Sequence, residues 1–271
     1  MRAAASAVSL SGRSVLITGG GTGIGAACAR RLAAEGMRVA VLGRRRHPLE
    51  RVAEEIGGVA IPADASRTEE MRSAIALVSE RFGGLDALIA NAGGHGTSAA
   101  LQTDDSAWRE ARLANLDSAF VAAREALPAL LERSGAIVFV SSIAALGAAP
   151  EVCGYTTFKH AVIGLTRSLA RDYGPLAVRV NAVCPGWVRT PMSDEEMQPL
   201  MRERGITLDQ AYALVTADAP LRRPASAEEI ASVCRFLISP EASIVTGAVI
   251  VADGGSTIVD VGTLAFTRHA S

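Results

Sequence analysis

Short, nearly continuous apolar runs alternate along the chain with longer stretches in which apolar residues recur every three to four positions. The first pattern marks strands buried on both faces, and the second marks amphipathic helices. SVLITG (14–19) predicts a buried strand, and GIGAACARRLAAEG (23–36) a helix closed by Gly36. RVAVLG (38–43) predicts the second strand, followed by HPLERVAEEIGG (47–58), a helix with Pro48 in its first turn. VAIPAD (59–64) reads as a third strand, RTEEMRSAIALVSERFGG (67–84) as a helix, and LDALIANAG (85–93) as a fourth strand with its exit turn. A long helix is expected from about 104 to 133, with Pro128 kinking or ending it. GAIVFVSS (135–142) gives the fifth strand, GYTTFKHAVIGLTRSLARDYG (154–174) a helix stopped by Gly174 and Pro175, and VRVNAVCPG (178–186) the sixth strand. Residues 189–220 are helical in composition but weakly patterned. SAEEIASVCRFLIS (226–239) opens on a capping box from Ser226 to Glu229, and GAVIVADGG (247–255) is the last strand.

Seven strands alternating with helices predict a doubly wound α/β Rossmann fold, a seven-stranded parallel sheet with helices on both faces. No linker or repeat interrupts the pattern, so residues 12–255 are expected to form a single domain, with 192–220 as an amphipathic lid. A flexible lead over 1–11 precedes it, and a C-terminal extension over 256–271 follows. In such sheets ligands bind beyond the carboxyl ends of the strands. TGGGTGIG, NAG, VSS and CPGWVRT each follow a strand at that end, so four loops converge on one crevice.

Composition narrows the picture. Aromatic residues are only 4% of a chain that is 49% hydrophobic, which predicts a core of Ala, Val, Leu and Ile. A net charge of −1 gives no sign of nucleic-acid binding. Cys28, Cys153, Cys184 and Cys234 have no metal-type spacing, so reduced thiols, no metal and a cytoplasmic location are expected. The opening MRAAASAVSLSGR lacks the apolar segment of a signal peptide, and no apolar run approaches the ~20 residues of a membrane span.

The loop TGGGTGIG (18–25) lies between a buried strand and a helix. Glycines there let the backbone approach a pyrophosphate at a helix N-terminus. The spacing runs G-x-x-x-G-x-G from Gly19 through Gly23 to Gly25, and Gly21, Gly23 and Ala26 also satisfy G-x-G-x-x-A. Thr22 and Ile24 complete the candidate cofactor loop. At the end of the second strand Gly43 stands where an acid would hold a ribose 2′-hydroxyl, and Arg44 follows it. That favours NADP(H), with NAD(H) possible. Arg45 and Arg46 read as the solvated start of the next helix. Asp64 is placed to accept from an adenine amino group or to cap a helix.

YTTFK (155–159) places Tyr155 and Lys159 on one helix face, thirteen and seventeen positions after Ser142. An ordinary phenol, with its pKa near ~10, is no base at neutral pH. A neighbouring ammonium favours the phenolate, and a shift of roughly three units takes about 4 kcal/mol, expected from a close cation together with a cofactor's positive ring. Ser142 offers a hydroxyl to orient a substrate oxygen. His95 and Cys153 flank the crevice, Trp187 and Met192 are candidates for its wall, and His160 is expected to point elsewhere.

Taken in order, Thr18 to Gly25, Asn91 to Gly93, Asn115, Ser142, Tyr155-x-x-x-Lys159 and Pro185-Gly186 resemble the short-chain dehydrogenase/reductase family over about residues 12–255. The resemblance implies that Tyr155 is the general acid/base, that Lys159 lowers its pKa and holds the nicotinamide ribose, and that Ser142 positions the substrate oxygen. It implies that Asn115 holds a water linking Lys159 to solvent and that Asn91 and Gly93 support the sheet beside the adenosine ribose. The loop from Pro185 through Gly186 and Val188 to Thr190 would contact the nicotinamide. A homotetramer acting on a small carbonyl or alcohol is implied, with neither nucleic acid nor membrane as partner. The alternatives are a 3-oxoacyl-carrier-protein reductase and a non-catalytic NADP-sensing regulator; the intact catalytic set argues against the second.

Overall fold

The computed structural model describes residues 9–267 except 95 and 97, so the expectation for His95 lies outside the described residues. In chain order the first third runs β1 (Ser14–Thr18), α1 (Gly23–Ala34), β2 (Arg38–Gly43), α2 (Arg46–Ile56), β3 (Val59–Pro62), α3 (Thr68–Phe82) and β4 (Ala87–Ala90). Then come α4 (Asp105–Arg112), a π-helical turn (Leu113–Asp117), α5 (Ser118–Arg133), β5 (Ala136–Val140) and α6 (Cys153–Tyr173). The remainder is β6 (Arg179–Pro185), β7 (Val188–Arg189), α7 (Pro191–Arg204), α8 (Leu208–Val215), β8 (Ala225–Ser226), α9 (Ala227–Ile238), β9 (Val249–Ala252) and the short α10 (Leu264–Thr267).

Seven of these strands form one parallel sheet in the order β3-β2-β1-β4-β5-β6-β9, and β7 pairs with β8 in a small second sheet. Successive side chains on a strand point to opposite faces, so the apolar runs feed two cores. Leu16, Leu88, Ile137 and Phe139 pack on one side with Met71, Ala122, Leu130 and Val162. Val15, Ile17, Val138 and Val140 pack on the other with Cys28, Leu32, Val52 and Leu237. β1, β4 and β5 are buried along their whole length, which is why they carry no polar alternation. As the low aromatic content predicts, the largest fully buried side chains are mostly Leu and Ile. No helix among the described residues is long and apolar enough to cross a membrane.

The strand order reverses between β1 and β4. The loops leaving these two strands therefore diverge and open a crevice between them. The long central helix departs from expectation. It runs through Pro128 to Arg133, and its irregularity is the π turn at 113–117. The capping box at Ser226 is present as read, with Ser226 accepting from Glu229 N and the Glu229 carboxylate accepting from Ser226 N.

Candidate active site

A cleft of ≈ 650 Å³ lies over the carboxyl ends of β1, β2 and β4. Its floor is the glycine loop. Gly23 holds φ +53°, a left-handed conformation that side chains rarely adopt. Gly25 is forced by proximity, since a Cβ there would lie 2.3 Å from the Gly19 carbonyl oxygen. Asn91 ties this loop to β4, its side-chain amide donating to the carbonyls of Thr18 (3.1 Å) and Gly19 (3.2 Å). The turn thus presents bare backbone and the start of α1 to the cleft, a cradle that fits a dinucleotide pyrophosphate.

The cleft is lined by Gly19, Gly21, Thr22, Gly23 and Ile24, and beyond them by Arg44, Asp64, Asn91 and Gly93. A Cβ built on Gly43 meets nothing closer than Leu49 Cδ2 at 3.7 Å, so space does not forbid an acid there; the sequence omits it. Asp64 Oδ1 accepts from both N (2.9 Å) and Oγ (2.8 Å) of Ser66, which holds the carboxylate in a turn before α3. Arg46 pairs with Glu50 as a solvated helix start. Arg45 does not belong with it: its guanidinium folds back to Thr22 Oγ1 at 3.2 Å and lines the cleft. The basic run GRRR held that signal, but which arginine turns inward depends on how α2 packs.

Tyr155, Lys159 and Thr190 border the same cleft. Lys159 is buried, and its ammonium donates to the Val140 carbonyl (3.2 Å) and lies 5.5 Å from the centre of the Tyr155 ring. Ser141 Oγ donates to the Lys159 carbonyl (3.2 Å), fixing the helix against β5. Burial lowers the Lys159 pKa to about 8. The phenol of Tyr155 moves opposite to the sequence expectation: burial raises it, the neighbouring Ser142 hydroxyl opposes that, and the Glu196 carboxylate raises it further. Desolvation of the phenolate outweighs the partners the chain supplies. Glu196 on α7 and Cys184, whose thiol is buried behind Lys159, are neighbours the sequence did not reveal.

Asn115 sits inside the π turn and is buried. Its amide donates to Ala111 O (3.0 Å) and its carbonyl accepts from Gly94 N (3.3 Å). The absence of a side chain on Gly93 leaves room here, since a Cβ would stand 3.4 Å from Lys159 Nζ and 3.5 Å from Asn115 Oδ1. Ser142 is half-buried and its hydroxyl accepts from Ala144 N (3.1 Å). Pro185 ends β6, Gly186 packs against Asp253, and the Val188 side chain is buried in the core; these three do not line the cleft. Thr190 caps α7 by accepting from Ser193 N, and Met192 lies beside it on the cleft wall. Trp187 instead packs into the small cluster of Met197, Ala211 and Tyr212. His160 is exposed and bonds the Thr156 carbonyl on its own helix.

A family model described as enoyl-(acyl carrier protein) reductase matches residues 19–257. Protein MoaE of Klebsiella aerogenes is 52% identical over 255 residues, covering 94% of this chain and 99% of that protein. Meso-2,3-butanediol dehydrogenase of Serratia marcescens is 34% identical over 252 residues, covering 91% of this chain and 95% of that protein. Among solved structures, levodione reductase matches with a TM-score of 0.86 at 30% identity, over 92% of this chain and 99% of that one.

Proposed function

The chain belongs to the short-chain dehydrogenase/reductase family, and from that premise we propose that it interconverts a ketone and a secondary alcohol on a small molecule, with NADP(H) as the favoured cofactor. The observation that carries this reading is the meeting of Tyr155 and Lys159 with the glycine loop in one cleft. When bound, the nicotinamide supplies or accepts the hydride. Tyr155 moves the proton at the substrate oxygen. Its raised pKa keeps the phenol protonated at neutral pH, which suits donation to a carbonyl. Oxidation of an alcohol needs the phenolate and is favoured as pH rises. Ser142, whose hydroxyl lies near enough to oppose the rise of the Tyr155 phenol, orients the same oxygen. Lys159 holds the nicotinamide ribose and supplies the cation beside the phenol. Asn115 keeps the helix opened around Lys159, and a water on its remaining lone pair links that ammonium to solvent.

Gly19, Gly21, Thr22, Gly23, Ile24 and Gly25 receive the pyrophosphate, with Asp64, Asn91 and Gly93 on the adenosine side. Pro185, Gly186 and Val188 set the backbone that delivers Thr190 to the nicotinamide. Arg44 meets the 2′-phosphate, and Arg45 on the cleft wall supports the preference for NADP. Residues 12–255 work as one domain with 192–220 closing over substrate. A homotetramer in the cytoplasm completes the reading. Half-exposed Phe120 on the long helix, and exposed Ile258 and Phe266 beyond β9, support it as surfaces for further copies.

The test is a panel of small ketones and secondary alcohols with NADPH, NADH and their oxidised forms, followed by the absorbance of the reduced nicotinamide. Turnover with no member of the panel, by protein that binds NADPH, would favour the sensing alternative.

A further inference from the structure

At the opposite end of the sheet, away from the cleft, a second cavity of ≈ 390 Å³ opens where β5 and β6 begin. Two guanidiniums line it, Arg13 just before β1 and Arg179 at the start of β6, with Ser134, Ser243 and Thr246 on its walls. Arg179 is half-buried and donates to the carbonyls of Leu237 (2.6 Å) and Ser239 (3.0 Å). A guanidinium has five N–H donors, so three remain. Among the described residues neither guanidinium takes part in an ion pair. Asp86, the acid on the wall, is turned to Ser14, where its Oδ2 accepts from N (2.8 Å) and Oγ (2.9 Å).

Other arginines that come together with charged neighbours meet carboxylates, as in Arg30–Glu55, Arg223–Glu229 and Arg235–Glu35, whereas Arg13 and Arg179 meet each other's charge. Burial and the charge of Arg13 together make the Arg179 cation harder to hold. The Asp86 carboxylate offsets part of this charge, and the net positive charge that two guanidiniums and one carboxylate leave around the cavity is relieved by a bound anion. Guanidiniums suit oxyanions because paired N–H groups match paired oxygens.

We propose that the Arg13–Arg179 cavity is a second binding site, separate from the catalytic cleft, for a phosphate-type oxyanion, either inorganic phosphate or the phosphate of a small metabolite. Because Arg179 already ties β6 to the C-terminal end of α9, an anion on its outward N–H groups fixes that end further and stabilises the fold.

Thermal unfolding of the full chain tests this, comparing phosphate with chloride at equal ionic strength. Phosphate at roughly ten times its dissociation constant is expected to raise the Tm by about 3 °C. Arg13→Glu should abolish that rise and unfold no earlier than wild type in chloride, because the new carboxylate faces Arg179. Arg13→Gln, a milder change, should weaken the phosphate response by about tenfold in concentration. With saturating NADP filling the other cleft, where the cofactor's own phosphates would otherwise be mimicked, the wild-type rise should persist, and Arg44→Ala should then leave it unchanged. Glycerol phosphate outperforming inorganic phosphate points to a metabolite, and equal shifts point to the inorganic ion; either result supports the site. The proposal is overturned if phosphate acts no differently from chloride. It also fails if both Arg13 variants keep the wild-type response, or if Arg44→Ala removes it.

Discussion

The floor of the catalytic cleft and the segment proposed as its roof are built by different means. The floor rests on β1, β4 and β5, whose residues are buried from end to end, and Asn91 staples two of its loops together. The roof, α7 and α8, has a core of its own in which Met197, Ala211 and Tyr212 are the fully buried members. Its other fastenings are polar and partly wet. Tyr212 donates to Asp194 Oδ1 (2.8 Å), Arg189 lies over the Tyr212 ring (4.6 Å to its centre), and Arg189 also pairs with Asp209. The contrast teaches where each kind of demand is met. Hydride and proton transfer need atoms held to a fraction of an ångström, which a two-faced core provides. If α7 and α8 cover substrate as proposed, a small core is what makes their opening inexpensive.

The comparison can be broken at the floor first. Tyr155→Phe deletes the proton donor without disturbing packing, so kcat/KM should fall at least ~100-fold while cofactor affinity, read by fluorescence titration, stays near wild type. A variant with full turnover would remove Tyr155 from the chemistry. Next in size is cofactor choice. One charge-assisted bond from Arg44 implies a preference for NADP of about ten- to hundred-fold in kcat/KM, and Gly43→Asp with Arg44→Ala should reverse it. The open space around Gly43 lets the new carboxylate fit. A wild type that prefers NAD would refute this.

Lys159 sharpens the point that a rigid floor carries a cost. Its pKa is about 8 against 10.5 for an ordinary lysine. Between those values the unfolded chain binds the proton that the folded chain has lost, so this group makes stability rise with pH across that window. Below pH 8 the buried charge costs the fold about 3 kcal/mol. Allowing for the lost bond to Val140, Lys159→Met should therefore gain about 2 kcal/mol at pH 7 while activity collapses. Urea unfolding at pH 7 and pH 10 checks both the sign and its disappearance with pH. The smallest effect belongs to the roof. Tyr212→Phe removes one hydrogen bond worth about 1 kcal/mol, so hydrogen exchange in 191–215 should quicken roughly five-fold while β1 and β4 are unchanged. Equal changes in both regions would mean that floor and roof open together.

Much of this was legible along the chain because the signals are local. Helical and strand periods show which face of an element is apolar, so the seven strands, the helix after each glycine turn and the shared face of Tyr155 and Lys159 could be read directly. The capping box at Ser226 is equally local, since both partners lie within one helical turn. What the chain did not disclose depends on which elements become neighbours. The π turn that carries Asn115 inward replaced the break expected at Pro128. Arg45 turns to Thr22, 23 residues away, although its own helix reads as solvated. Gly186 and Val188 lie outside the lining of the crevice that their loop approaches, the Val188 side chain being buried in the core. The phenol of Tyr155 rises where the YTTFK spacing alone suggested a fall. Desolvation sums over every group packed around an atom, and those groups arrive from β5, β6 and α7, remote from one another in sequence. Periodicity determined the face each residue presents; only the folded chain decided what that face meets.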